Sequence, residues 1–175
     1  NSGKDWTLEF WLRKDNDSNR GMMYFSTNNT AFSYNTLPTN MFALYDNNGS
    51  YKFRWPDNSE SNLSALSDNV WYHVAITCNG SNQEHKVYIN GSNVATKTLS
   101  YTVKTQVYFG CGFGGGGASI LNGNFAEFDE IRHSNTIRYT TSFTPETTAF
   151  TDDENTLGLF HCDTYPENDD IADSY

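Results

Sequence analysis

Cysteine is scarce in this chain: Cys78, Cys111 and Cys162 are the only three. Their spacing is not that of a metal site, and at most one disulfide can form among them. Free buried thiols are expected, because Cys78 and Cys111 stand at or near strand ends, where cysteine serves as a small apolar residue. Charge is scarce too. Charged residues are 18% of the sequence, with Asp+Glu 21 against Lys+Arg 11 and a formal net charge of -10. An acidic surface repels phosphate backbones and anionic headgroups, which makes nucleic acid and lipid surfaces poor partners and cations good ones. No apolar run is long enough to span a bilayer. No long window carries apolar residues at helical spacing, so a helical bundle is excluded.

Aromatic residues are abundant, at 15%, among many Asn, Ser and Thr. A chain of 175 residues fits one domain with a real core. The stretch Trp71 to Val94 organises it. Trp71, Tyr72, Val74 and Ile76 form a β-branched and aromatic run, and Asn79-Gly80 breaks it. Lys86 to Ile89 is the return strand, ended by Asn90-Gly91. Trp71 and Val87 are expected in the core. Asp5 to Arg13 alternates, with Trp6, Leu8, Phe10 and Leu12 on one face and Thr7, Glu9, Trp11 and Arg13 on the other. Met41 to Trp55 is a hairpin around Asp46-Asn47-Asn48-Gly49. Its stripe Tyr51, Phe53, Trp55 reads first as core. It reads second as a sugar-stacking platform, since flat aromatic faces suit the CH-rich side of a pyranose. Many short strands at turn-marked spacing predict an all-β, two-sheet antiparallel β-sandwich.

Gly110 to Gly117 lacks the Gly-Lys-Ser/Thr and helix start of a phosphate loop, so it is read as a connection in which the backbone approaches something closely.

Three blocks carry a resemblance. Trp71 leads into HVAIT and then VYING. Phe128-Asp129-Glu130-Ile131-Arg132 is followed by Arg138-Tyr139. Phe143-Thr144-Pro145 is followed by Thr156 to Asp163, TLGLFHCD. Together they resemble the laminin-G-like jelly rolls of the concanavalin A-like lectin/glucanase superfamily, of the kind arrayed in bacterial surface and phage tail or virion proteins. Ala126 replaces a usual glycine and Cys162 a usual phenylalanine. The resemblance implies a jelly roll over 1–163, with 164–175 an acidic tail or the start of a next module. It also implies display in an extracellular, cell-surface or virion setting. Such modules usually have an edge strand before the one matching DWTLEFW. The chain is thus expected to be a piece of a longer protein, with Thr156 to Cys162 docked close to Asp5 to Arg13 on the vacant edge. Leu157, Leu159 and Phe160 are expected to be buried by that docking.

Strand alternation puts Asp129 on the face of Ile131, drawn partly inward, where a carboxylate needs a partner. Calcium takes six to eight hard oxygens, and Asp129, Asp163 and Asp46 are the candidate ligands, the first two meeting at one strand end. Backbone N–H groups or an arginine could satisfy Asp129 instead. Related modules often hold calcium near strand ends, which the resemblance implies here.

Glu127-Phe128-Asp129 is similar to the start of the acidic motif of laminarinase-type hydrolases on this fold. Retaining hydrolysis needs a second carboxylate on the same face, but positions 131 and 132 hold Ile131 and Arg132. The motif is therefore incomplete, and the chain is read as non-catalytic. His73 is read as a packed, hydrogen-bonded strand residue. The leading reading is a carbohydrate-binding module acting through Tyr45, Tyr51, Trp55 and Trp11 on glycans or cell-surface polysaccharide. A structural domain packing against neighbouring subunits is the alternative, and a polysaccharide-degrading enzyme such as a lyase is the weaker one. An open aromatic groove would favour the first.

Overall fold

In a computed structural model, the described residues are 3–14, 21–26, 41–47, 49–100, 106–109, 112–114, 117–119 and 126–163. They form thirteen strands: β1 Trp6–Lys14, β2 Gly21–Ser26, β3 Met41–Asn47, β4 Ser50–Arg54, β5 Glu60–Asn62, β6 Trp71–Asn79, β7 Glu84–Ile89, β8 Ser92–Thr98, β9 Gln106–Phe109, β10 Gly112–Gly114, β11 Gly117–Ser119, β12 Ala126–Ser134 and β13 Thr156–Phe160. One sheet has the order β13-β12-β1-β6-β7-β8, a second β5-β4-β3-β2-β9, and β10 pairs with β11. The pairing is antiparallel throughout. The all-β sandwich read from the sequence is the fold observed.

Alternation builds the core. Trp6, Leu8, Phe10 and Leu12 of β1 join Val74, Ile76, Val87 and Ile89 from the same sheet, and Phe42, Leu44, Tyr51, Phe53 and Trp55 from the other, in one buried cluster. Phe53 and Trp55 meet edge to face at 4.8 Å, and the Trp55 Nε1–H donates to Ser61 Oγ at 2.9 Å. Tyr51 and Trp55 are only 3% and 1% exposed. They cannot stack on a sugar, which corrects their place among the candidate binding residues. Cys78 is a free buried thiol, pushed up to about 11 by burial. Cys162 is free but exposed, and Cys111 lies outside the described residues.

Trp71 is a second correction. It is 37% exposed, whereas Val87 is fully buried as expected. In β6 the inward residues are Tyr72, Val74 and Ile76. Trp71 therefore shares the opposite face with His73, and it pairs with Arg13 at the strand's open end.

The outward face of β1 is also covered. Thr7 and Glu9 are fully buried beneath the segment 135–151. Thr7 Oγ1 donates to the Thr136 carbonyl at 2.7 Å and accepts from the Arg138 N–H at 3.0 Å. The Phe143 N–H bonds the Gly91 carbonyl at 3.0 Å. A Cβ on Gly91 would stand 1.8 Å from the Phe143 carbonyl oxygen, so this close approach requires glycine.

The tail strand docks, but not where expected. β1 has β12 on one side and β6 on the other, so it has no vacant edge. β13 pairs with β12 instead, Ile131 opposite Phe160 and Arg132 opposite Leu159. Leu157 and Phe160 are 60% and 62% exposed, against the expectation of burial. Backbone pairing and the Arg138 contacts to Thr156 and Asp153 hold this strand.

Two stability predictions follow from this packing. Trp55→Ala should cost about 3–5 kcal/mol in urea unfolding, as for other truncated buried aromatics, and Trp71→Ala under about 1 kcal/mol. Equal losses would contradict the assignment of faces. The second concerns acid. His85 is fully buried, and burial drops its pKa from 6.5 to about 4. The unfolded imidazole takes a proton below 6.5 and the folded one does not. Stability should therefore fall as pH drops from 6.5 towards 4, by up to about 3 kcal/mol. Burial shifts His133 the same way, so the check is a comparison of slopes. His85→Leu should flatten the stability curve between pH 6.5 and 5, and an unchanged slope would refute the assignment.

Candidate functional site

Glu9 sits at the centre of β1 with no solvent exposure. Its Oε2 meets His73 Nε2 at 3.1 Å and accepts from the Tyr139 hydroxyl at 2.6 Å. Its Oε1 accepts from Arg132 Nε at 2.9 Å, with Arg138 Nε at 3.7 Å. Burial pushes the carboxyl up. The hydrogen bonds from His73 and Tyr139 and the charge of Arg132 outweigh it and hold Glu9 below the usual carboxylate range. The His73 ring also meets the edges of Tyr139, Phe143 and Phe150, as its reading as a packed strand residue required. This network ties the cover segment to the sheet.

Beyond the cover the sheet surface opens. A groove of about 380 Å³ is lined by Trp11, Trp71, Asp129, Glu130, Thr147, Thr148, Ala149 and Asp163. Strand register explains the lining. Trp11 pairs with Asp129 on β12 and with His73 on β6, and Arg13 pairs with Trp71. The Arg13 guanidinium is 5.4 Å from the Trp71 ring and bonds the exposed Glu127.

A β-bulge decides what β12 contributes. The β1–β12 register shifts between Glu9 and Trp11, and Glu130 has φ 50°, a left-handed backbone for a non-glycine residue. Phe128 and Ile131 both pack on the core, so the two residues between them face outward. The expectation that Asp129 shares the face of Ile131 is therefore wrong, because the bulge breaks alternation at that point. Glu130 was not foreseen as a site residue, and no feature of the sequence marks the bulge.

Glu130 is 7% exposed. Its Oε2 accepts from the Phe150 N–H at 2.7 Å, and His161 Nδ1 lies 2.8 Å from Oε1. That hydrogen bond raises the His161 pKa. One carboxylate oxygen each from Asp129, Glu130 and Asp163 lies within 4.8 Å of the others. Burial raises the Asp129 pKa, and the charges of Glu130 and Asp163 raise it further. The meeting of Asp129 with Asp163 is as the sequence reading placed it. Asp46 is elsewhere: it is 4% exposed and accepts from the Gly49 N–H at 2.6 Å, which makes it a turn-fixing residue and not a partner of this cluster.

The donor set suits a hard divalent cation, since all three groups offer carboxylate oxygens in one place. Glu130 is the least free of them, held by His161 and the Phe150 amide. Among the sugar-stacking candidates, Trp11 is in the groove. Tyr45 is half-buried on the other sheet, its hydroxyl donating to Glu60. Trp71 is the aromatic that had been assigned to the core instead.

Similarity to known structures is at the level of fold. A Bacteroides ovatus protein assigned to carbohydrate binding superposes with TM-score 0.54 at 14% identity, covering 78% of this chain and 39% of that one. Trypanosoma rangeli sialidase gives 0.56 at 15%, covering 78% and 21%. The CBM40 of Ruminococcus gnavus IT-sialidase, bound to α2,3-sialyllactose, gives 0.54 at 13%, covering 79% of each. The chain thus spans about two-fifths of the first and about a fifth of the second. No curated protein matches the chain by sequence. A family model matches residues 1–136, and the chain belongs to the concanavalin A-like lectin/glucanases superfamily.

Proposed function

We propose that this domain is a carbohydrate-binding module whose ligand lies in the Trp11–Trp71 groove. The observation that carries the reading is an open groove with two tryptophans, flanked by carboxylates and by Thr147 and Thr148. An indole face offers an apolar surface to the CH side of a sugar ring, while carboxylates and hydroxyls accept and donate to its OH groups. Fold neighbours that bind sugars support the reading by analogy of fold alone. On this reading residues 1–163 form the module, and it serves in a larger extracellular, cell-surface or virion assembly beside neighbouring domains.

A divalent cation such as calcium belongs to the same proposal. Asp129 and Asp163 would hold it, with Glu130 recruited if His161 releases it. Its charge would relieve the crowding of three carboxylates and present a Lewis-acidic centre to sugar hydroxyls.

An enzymatic reading has one observation in its favour. The bulge sets Glu130 beside Asp129, supplying a carboxylate pair that the linear motif lacks. Glu130 is committed to His161 and the Phe150 amide, and Glu127 to Arg13. Binding without turnover is therefore the better fit.

Two measurements check the proposal. Trp11→Ala and Trp71→Ala should each weaken retention on a glycan array about tenfold, equivalent to about 1.4 kcal/mol and the upper end of one aromatic stacking contact, with Tm within a few degrees of the parent. Retained binding in both would place the ligand elsewhere. Calcium should raise Tm, and EDTA should reverse the rise. The rise should be absent in Asp129→Asn/Asp163→Asn, and an equal rise in that variant would remove these residues from the cation's coordination.

A further inference from the structure

We infer that the groove, in its cation-free state, selects uncharged glycans and rejects sugars bearing a carboxylate, including sialic acids. The inference rests on the reading of the groove as the glycan site, and it departs from the ligand of the sialyllactose-bound fold neighbour. At 13% identity that neighbour informs the fold and not the ligand.

Asp129, Glu130 and Asp163 bring three carboxylates to one wall of the groove. One imidazole, His161, faces the cluster, and it is already bonded to Glu130.

Among the described residues, the two guanidiniums that approach the groove lining each already hold a carboxylate. Arg132 is buried against Glu9 and lies 4.2 Å from the Phe150 ring. Arg13 bonds Glu127 while lying over Trp71. Recognition of an anionic sugar needs an arginine fork or a set of N–H donors aimed at its carboxylate. No described residue lining the groove is basic. A carboxylate placed there would meet like charge without a partner, a juxtaposition that selects against the wrong ligand. Neutral sugars meet no such repulsion, since their hydroxyls donate to Asp129 and Asp163 and accept from Thr147 and Thr148.

The test compares matched pairs on the intact domain. Each neutral oligosaccharide is arrayed beside its sialylated or uronate-bearing partner at pH 7 in EDTA, with parent protein, Trp11→Ala and Asp129→Asn/Asp163→Asn. The expected result is at least about tenfold preference for the neutral member in the parent. In the double Asn variant the preference should narrow through a gain by the anionic member. Added salt should narrow it too, because screening weakens like-charge repulsion. Anionic members bound as well as neutral ones, with both lost in Trp11→Ala, would overturn the selectivity while leaving the groove as the site. Binding of either class untouched by Trp11→Ala, or no binding at all, would overturn the groove reading and the selectivity with it.

Discussion

A carboxylate buried in the middle of a strand constrains everything around it. Glu9 has no access to water, so each of its oxygens must be matched. The partners come from far along the chain: His73 on β6, Arg132 on β12, and Tyr139 and Arg138 in the cover segment. Removing one partner of a buried charge pair typically costs 3–5 kcal/mol, far more than the pair contributes relative to apolar packing. Any packing that left Glu9 without these partners would bear that cost. The network fixes which turn of the chain lies over the sheet, and Phe150, Tyr139 and Phe143 then close over His73 as an aromatic lid.

Where that cover stops is where the groove begins. Trp11 is two residues from Glu9 on the same face of β1, just past the last residue the cover can shield. Its ring lies 5.5 Å from His73, so the buried network and the open groove share a wall. The bulge at Glu130 sits at the same boundary. A left-handed backbone at a non-glycine residue costs on the order of 1–3 kcal/mol and persists only where surroundings enforce it. Here the Phe150 amide and His161 hold the Glu130 side chain from two directions. Cover segment and tail thus jointly maintain the distortion that turns Asp129 towards the groove.

Much of the sandwich was legible because alternation is a local rule. Trp6, Leu8, Phe10 and Leu12 read correctly as one core face, and the Tyr51–Phe53–Trp55 stripe read first, and rightly, as core. The same rule, applied strictly, would have exposed Trp71, which shares the parity of His73; hydrophobic identity outweighed position there. Glu9 gave no sign of burial, because an acidic residue alternating with Trp and Phe looks like a solvated face until a distant segment covers it. The Asp129–Asp163 meeting was expected from a tail docked beside Asp5 to Arg13, and the two residues meet although the tail pairs with β12 instead. Glu130 was not legible, because bulges are written in register between strands and not in either strand alone. Asp46 was misplaced for a related reason: Asp-Asn-Asn-Gly supplies oxygen ligands and a turn in the same letters, and the turn won.

The position of the groove bears on what kind of ligand the fold can accept. Its aromatic side comes from β1 and β6, which are central and rigid. Its acidic side comes from the bulge and from Asp163, just beyond β13 at the sheet edge. The two sides meet in one register pair, Trp11 opposite Asp129. Change at Asp163 alone would alter polarity at the groove's edge, whereas change at Glu9 or His73 would disturb both sides at once. The tryptophans are thus fixed by central strands, while Asp163 is placed by the edge strand of the same sheet.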